Sequence, residues 1–158
     1  MLRIIAASRI FPALILCWLI PALPNADTMI AAARSCLGTR FRHQGRTPGR
    51  GLDCLGLIVV AAQAAGITMA DQRAYSRQPN QADFQQYVAA NAMALRTQVA
   101  PGRIGVFDFG AGPQHVGLFT GAGLIHAYAP ARKVIEHGWR APWPGHLSHI
   151  YAFPQHLG

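Results

Sequence analysis

The sequence predicts an α+β domain in which helices come first and an antiparallel meander follows. Three observations carry this. Apolar residues recur at helical spacing up to about residue 95. After Pro101-Gly102 they fall instead into short segments bounded by Gly or Pro. The chain has 158 residues, of which 51% are hydrophobic, enough for one well-buried core and too short for two. A disordered chain is excluded by the same figure, and the 13% of charged residues is too low for a coiled coil. There is no internal repeat and no linker to a second domain.

Residues 1–28 differ from the rest. Arg3 and Arg9 precede a charge-free stretch from Ile10 to Ala26, the layout of a signal peptide. Pro24 and Ala26 make a poor cleavage site, and Pro12, Pro21 and Pro24 interrupt a spanning helix. Leu-Ile-Leu before Cys17 lacks the small residue of a lipoprotein site, so no lipid anchor is expected. Met29 opens the first helix of the domain. Residues 1–28 therefore read as a signal or anchor, as an extension ahead of a start at Met29, or as a buried structural helix; the domain proper is 29–158. Under the first reading the protein is secreted, periplasmic or membrane-anchored. Under the second it is cytoplasmic or carried in a phage-like particle.

The first helix is expected over Asp27–Leu37, with Ile30, Ala33, Arg34 and Leu37 on one face and Gly38 as its C-terminal cap. Thr39 to Gly51, rich in Gly and Arg, reads as an irregular loop. The second helix starts at Asp53-Cys54 and continues to Ala65. It is apolar nearly all round and is therefore the central, buried one. The third begins after Pro79, with Asn80 as N-cap and Phe84, Tyr87, Val88 and Leu95 as its stripe. About five strands follow: 104–109, 115–120, 124–128, 133–137 and 149–153. Gly121-Ala122-Gly123 forms a hairpin connection between the second and third.

Basic residues outnumber acidic ones 14 to 6, a net charge of +8, and all but Lys133 are arginine. The surplus favours anionic partners such as wall polymers, lipid headgroups or nucleic acid. Arg40, Arg42, Arg46 and Arg50 concentrate it in the loop before Cys54, as an anionic-substrate rim or a solvated loop. No recognisable nucleic-acid-binding module is present, so nucleic acid is not an expected partner.

Cys54 is the most informative residue. It stands at the junction of a glycine-rich loop and an apolar helix, with Asp53 as N-cap. Free N–H groups and the helix dipole at that end favour a thiolate and can receive an oxyanion. The competing reading is an inert core cysteine, which is how Cys36 and Cys17 are read. A thiol nucleophile needs an imidazole, and the imidazole a group to orient it. His115 opens one strand and His126 lies in the next, so a tight hairpin at Gly121–Gly123 brings them together. A surface His115 and a satisfied core His126 are the bland alternatives.

The segments Gly38-Thr-Arg-Phe-Arg-His-Gln-Gly45, Leu52-Asp-Cys-Leu-Gly-Leu-Ile58, Gln114-His-Val-Gly-Leu-Phe119 and Leu124-Ile-His-Ala127 together resemble the NlpC/P60 cysteine peptidases, most closely the phage or gene-transfer-agent cell-wall branch. The resemblance covers about Met29 to Pro154. It implies a papain-like fold and cleavage of peptidoglycan stem peptides, typically between D-γ-glutamate and a diamino acid. Cys54 is then the nucleophile, His115 the base and His126 its orienting residue, with Asp53, Phe41 and His43 around the oxyanion and substrate cleft. No metal and no organic cofactor is implied; a metal site of Cys54, His115 and His126 also lacks paired ligand spacing. Peptidoglycan stem peptides are the expected partner, with anionic envelope polymers or phage-like tail proteins as further ones.

The chain departs from that pattern in three places. Phe41 stands where many members have a tyrosine whose hydroxyl helps bind the oxyanion. Leu55 replaces the usual serine, as in the phage-like branch. Gly102-Arg103 replaces Gly-Asp. The alternatives are therefore a weak or inactive wall-binding or tail-associated module, and a related thiol amidase. His137, His146, His149 and His156 have no evident partners in the sequence. Trp139 and Trp143 read as a packed loop over the sheet edge.

Overall fold

The computed structural model describes residues 25–77 and 81–154. The leader expectation falls largely on residues 1–24; these, with Cys17, the Asn80 cap and His156, lie outside the described residues. The elements in chain order are α1 (Ala26–Ser35), β1 (Arg46–Thr47), β2 (Gly51–Leu52), α2 (Cys54–Ala64), α3 (Gln81–Ala90), β3 (Ala94–Arg96), β4 (Ile104–Asp108), β5 (Pro113–Phe119), β6 (Leu124–Tyr128), β7 (Lys133–His137), α4 (Trp143–His146) and β8 (Leu147–Ala152). No helix among the described residues is long and apolar enough to cross a membrane.

The main sheet is antiparallel with order β3-β8-β4-β5-β6-β7, so the α+β expectation holds with six strands rather than five. β4 to β7 form the meander, and β8 returns to the far side of β4. Alternation of side chains across the sheet sorts the core into two layers. Val106, Val116, Leu118 and Ile125 pack on Leu57 and Ile58 of α2. Phe107, Phe119, Leu124 and Ile150 face the other way, under Trp143. The tryptophan loop thus packs on a sheet face rather than over an edge. Full burial of each such side chain contributes roughly 1.5–3 kcal/mol.

α2 is central as expected, and its neighbours differ from expectation in detail. α1 buries Ala26, Met29, Ile30 and Ala33, a stripe at i, i+3, i+4 and i+7. Leu37, placed on that face by the sequence, is 47% exposed beyond the helix end, and Arg34 points outward to Glu136. α3 stops at Ala90 because Ala92 takes a left-handed conformation (φ 47°). Leu95 therefore leaves the helix stripe and sits on β3, exposed. The Thr39–Gly51 loop is not irregular. β1 and β2 pair within it, and Gly38–Phe41 bonds to the edge of β7 through Gly38 N–H to Val134 O, Val134 N–H to Thr39 O and Phe41 N–H to Arg132 O. A loop running against the core must pair its backbone groups, and this one does so along the sheet.

Candidate active site

The second helix begins where it does because Asp53 caps it. Asp53 is extended (φ −104°, ψ −176°), and its Oδ1 accepts from Gly56 N–H at 2.8 Å. The same carboxylate accepts from Gln44 N–H (2.7 Å), Arg46 Nη1 (3.0 Å) and the Tyr75 hydroxyl. Arg46 in turn donates to Asp71 (2.8 Å) and to the Gly45 and Gln72 carbonyls. The network holds the loop 44–46 against the first turn of α2. Contact there is so close that a Cβ on Gly56 would lie 2.0 Å from Gly45 O.

This geometry corrects the reading of the arginine cluster. Arg46 is no rim residue: its side chain is 8% exposed and paired with Asp53 and Asp71. Arg40, Arg42 and Arg50 remain at the surface. Nothing in the spacing of the four separates them; only the carboxylates that converge on Arg46 do.

Cys54 follows the cap as the first residue of α2 and lines a cleft of about 360 Å³. His115, Asp53, Phe41 and His43 line the same cleft. The ring of His43 stands edge-on to Tyr75 at 5.5 Å. The buried Tyr87 hydroxyl, also at the cleft, has no hydrogen-bond partner among the described residues. Burial pushes the Cys54 thiol up to about 12, and the Asp53 charge adds to the rise. The N–H groups of Val116, Leu55 and Cys54 oppose it by favouring the thiolate. The expected acidification by the helix end is thus present and outweighed, because dehydrating a thiolate beside a carboxylate costs more than three N–H groups return. The balance favours the neutral thiol over the thiolate.

The register of β5 and β6 pairs Leu118 with Ile125, so His115 and His126 share a sheet face one step apart. Their rings meet, His115 Nε2 to His126 Nδ1 at 2.6 Å. Gly117 lies beside His126 and leaves the room for it: a Cβ there would come 3.3 Å from His126 Cβ and 2.8 Å from Leu124 Cδ1. Burial first, then the neighbouring rings, push both histidines well below the usual imidazole range, so both are neutral.

A third ring was missed in the sequence. His137 Nε2 lies 3.1 Å from His126 Nε2, and His137 Nδ1 lies 3.0 Å from Gly138 O. The signal was available: His115, His126 and His137 are equally spaced, and in a regular meander equal spacing puts residues on one diagonal of one face. Of the other histidines, His146 reaches Asp108 O and His149 reaches Ser148, and neither lines the cleft. Cys36 is buried, its thiol directed at Ala32 O, as expected of a structural residue. Among the described residues no three His, Cys, Asp or Glu side chains converge as a metal site.

A family model described as the NlpC/P60 family matches residues 38–145. No curated protein matches the chain. Among solved structures, NlpC1 from Trichomonas vaginalis is similar over 85% of this chain and 46% of its own, at 21% identity and a TM-score of 0.61. The peptidoglycan hydrolase RipB from Mycobacterium tuberculosis is similar over 81% of this chain and 63% of its own, at 20% identity and a TM-score of 0.57. The NlpC/p60 domain of the peptidoglycan hydrolase SagA aligns over 81% of this chain and 98% of its own, at 20% identity and a TM-score of 0.56. The chain thus spans less than two thirds of the first two of these proteins.

Proposed function

The chain belongs to the NlpC/P60 family, and on that premise we propose that it is a cysteine peptidase cleaving stem-peptide amide bonds of peptidoglycan, at the bond between D-γ-glutamate and the diamino acid. The observation that carries the reading is the shared cleft. Cys54 at the N-terminus of α2 and His115 at the start of β5 line one cavity, and His115 is fixed from behind by His126 at 2.6 Å. Leu55 after the nucleophile supports the phage or gene-transfer-agent branch.

The starting pair is a neutral thiol and a neutral imidazole, so attack and proton transfer are coupled. Cys54 Sγ bonds to the amide carbon while its proton passes to His115 Nδ1. The oxyanion sits against N–H groups at the start of α2. Collapse breaks the C–N bond, and the His115 imidazolium gives its proton to the leaving amine. Water, deprotonated by His115, then cleaves the thioester and restores the thiol.

The test is digestion of diaminopimelate-type murein with wild type and Cys54→Ala, the products read by mass spectrometry. New diamino acid amino termini from the wild type alone are the expected result. Equal products from both proteins would overturn the nucleophile. No products from either would favour the wall-binding module that Phe41, which lacks a hydroxyl, would suit.

A further inference from the structure

We propose that His137 is a positioning residue that fixes the tautomer of the catalytic base. Anchored on the Gly138 carbonyl, it sets one hydrogen-bond direction through His126 to His115 and leaves His115 Nδ1 unprotonated. The inference rests on the Cys54–His115 reading for its consequence in catalysis, not for its geometry.

The direction follows from one end of the chain of rings. A carbonyl oxygen only accepts, so the 3.0 Å contact from His137 Nδ1 to Gly138 O requires a proton on Nδ1. With the ring proton of His137 on Nδ1, its Nε2 is left as the acceptor. It accepts from His126 Nε2–H at 3.1 Å. That leaves His126 Nδ1 bare, to accept from His115 Nε2–H at 2.6 Å. The remaining nitrogen, His115 Nδ1, then keeps its lone pair, the state that a base for Cys54 in the shared cleft requires. The reversed chain would place a bare His137 nitrogen against the Gly138 carbonyl, two acceptors facing each other in a partly buried contact.

Packing holds the rings in these planes. Trp143, itself buried, stands edge-on to His126 at 4.6 Å and 87°, and lies against His137 at 4.9 Å and 30°. Burial keeps His115 and His126 neutral, the condition under which a single direction can propagate. A base in the wrong tautomer retains its position and loses its function.

The test uses the full chain with ¹⁵N-labelled histidine at pH 7.5, reading ring nitrogens by long-range proton–nitrogen correlation, together with steady-state kinetics on murein fragments. In the wild type, His115 and His126 are expected as the Nε2–H tautomer and His137 as Nδ1–H. His137→Phe removes the acceptor and should shift His115 toward Nδ1–H, lowering kcat about 10–100-fold with KM within about twofold. His137→Gln retains an acceptor near the old Nε2 and should keep the wild-type ring pattern and kcat within about threefold. Any of the three rings in the opposite tautomer in the wild type overturns the proposal, whether or not the variants fold. So does His137→Phe with an unchanged His115 tautomer and kcat. An inactive wild type with the ring pattern intact overturns the peptidase reading and leaves the relay standing.

Discussion

Acidification from pH 7.5 to 5 is expected to remove about 4 kcal/mol of folding stability through two rings, His115 and His126. Both are buried, at 9% and 0% exposure, and both are held far below the ordinary imidazole value, His115 at about 3. Unfolded, each takes up a proton near pH 6.5; folded, neither does. The unfolded state therefore binds more protons throughout this window, and stability is present above pH 6.5 and lost below it. Each ring contributes a slope approaching ~1.4 kcal/mol per pH unit, which integrates to about 2 kcal/mol apiece over the range. Against a typical total of roughly 5–15 kcal/mol, that loss is large. Glu136 is held low by its bond to Arg34 and loses its contribution only at lower pH, through the carboxylate range. Urea unfolding followed by circular dichroism at half-unit pH steps measures the slope. His126→Asn removes one of the two titrating rings and should halve the loss. A urea midpoint that stays flat from pH 7.5 to 5, or an unchanged slope in His126→Asn, would refute the burial argument.

Other consequences are as direct. With its thiol pushed up to about 12, Cys54 should react with iodoacetamide at a rate rising about tenfold per pH unit between pH 7 and 9; a plateau near neutrality would mean a resting thiolate–imidazolium pair. Gly56→Ala would set Cβ 2.0 Å from a backbone oxygen, and differential scanning calorimetry should show a loss of about 3 kcal/mol, near 10 °C in Tm; a drop below about 2 °C would contradict the contact. Phe41→Tyr should raise kcat on murein fragments about tenfold with KM unchanged if oxyanion donors limit the rate, and no gain would show the N–H groups to be sufficient. Tyr87→Phe deletes a buried hydroxyl without a partner among the described residues and should raise the stability measured by urea unfolding by up to about 1 kcal/mol; a comparable loss would reveal a partner for that hydroxyl.

The features legible in the sequence were those set by local chemistry. The cap and start of α2 follow from Asp53 ahead of an apolar run, and the His115–His126 pair follows from a hairpin whose glycines fix its register. What was illegible depended on distant partners. Arg46 looks like Arg40, Arg42 and Arg50 until Asp53 and Asp71 converge on it. The resting state of Cys54 turned on a balance between three N–H groups and the loss of water, which the sequence does not weigh. Leu95 fitted a helical stripe, and only the left-handed Ala92 removed it. His137 taken alone shows no partner in the sequence; its place in the chain of rings is a property of the equal spacing of the three histidines along the meander.

The segment Gly38–Arg42 is stitched on both sides. Toward the sheet it bonds to Val134 and Arg132 along β7, and toward the nucleophile it exchanges bonds with Leu52, Arg42 N–H to Leu52 O and Leu52 N–H to Arg40 O. β7 carries His137 at its far end, and Leu52 is two residues from Cys54. One short strap therefore ties the strand that ends the histidine chain to the loop that presents the sulfur. The strap's backbone hydrogen bonds thus link the β7 edge to the loop ahead of Cys54 without passing through α2. For a mechanism that needs a neutral thiol and a neutral ring to meet at a fixed gap, that common tether works as a ruler.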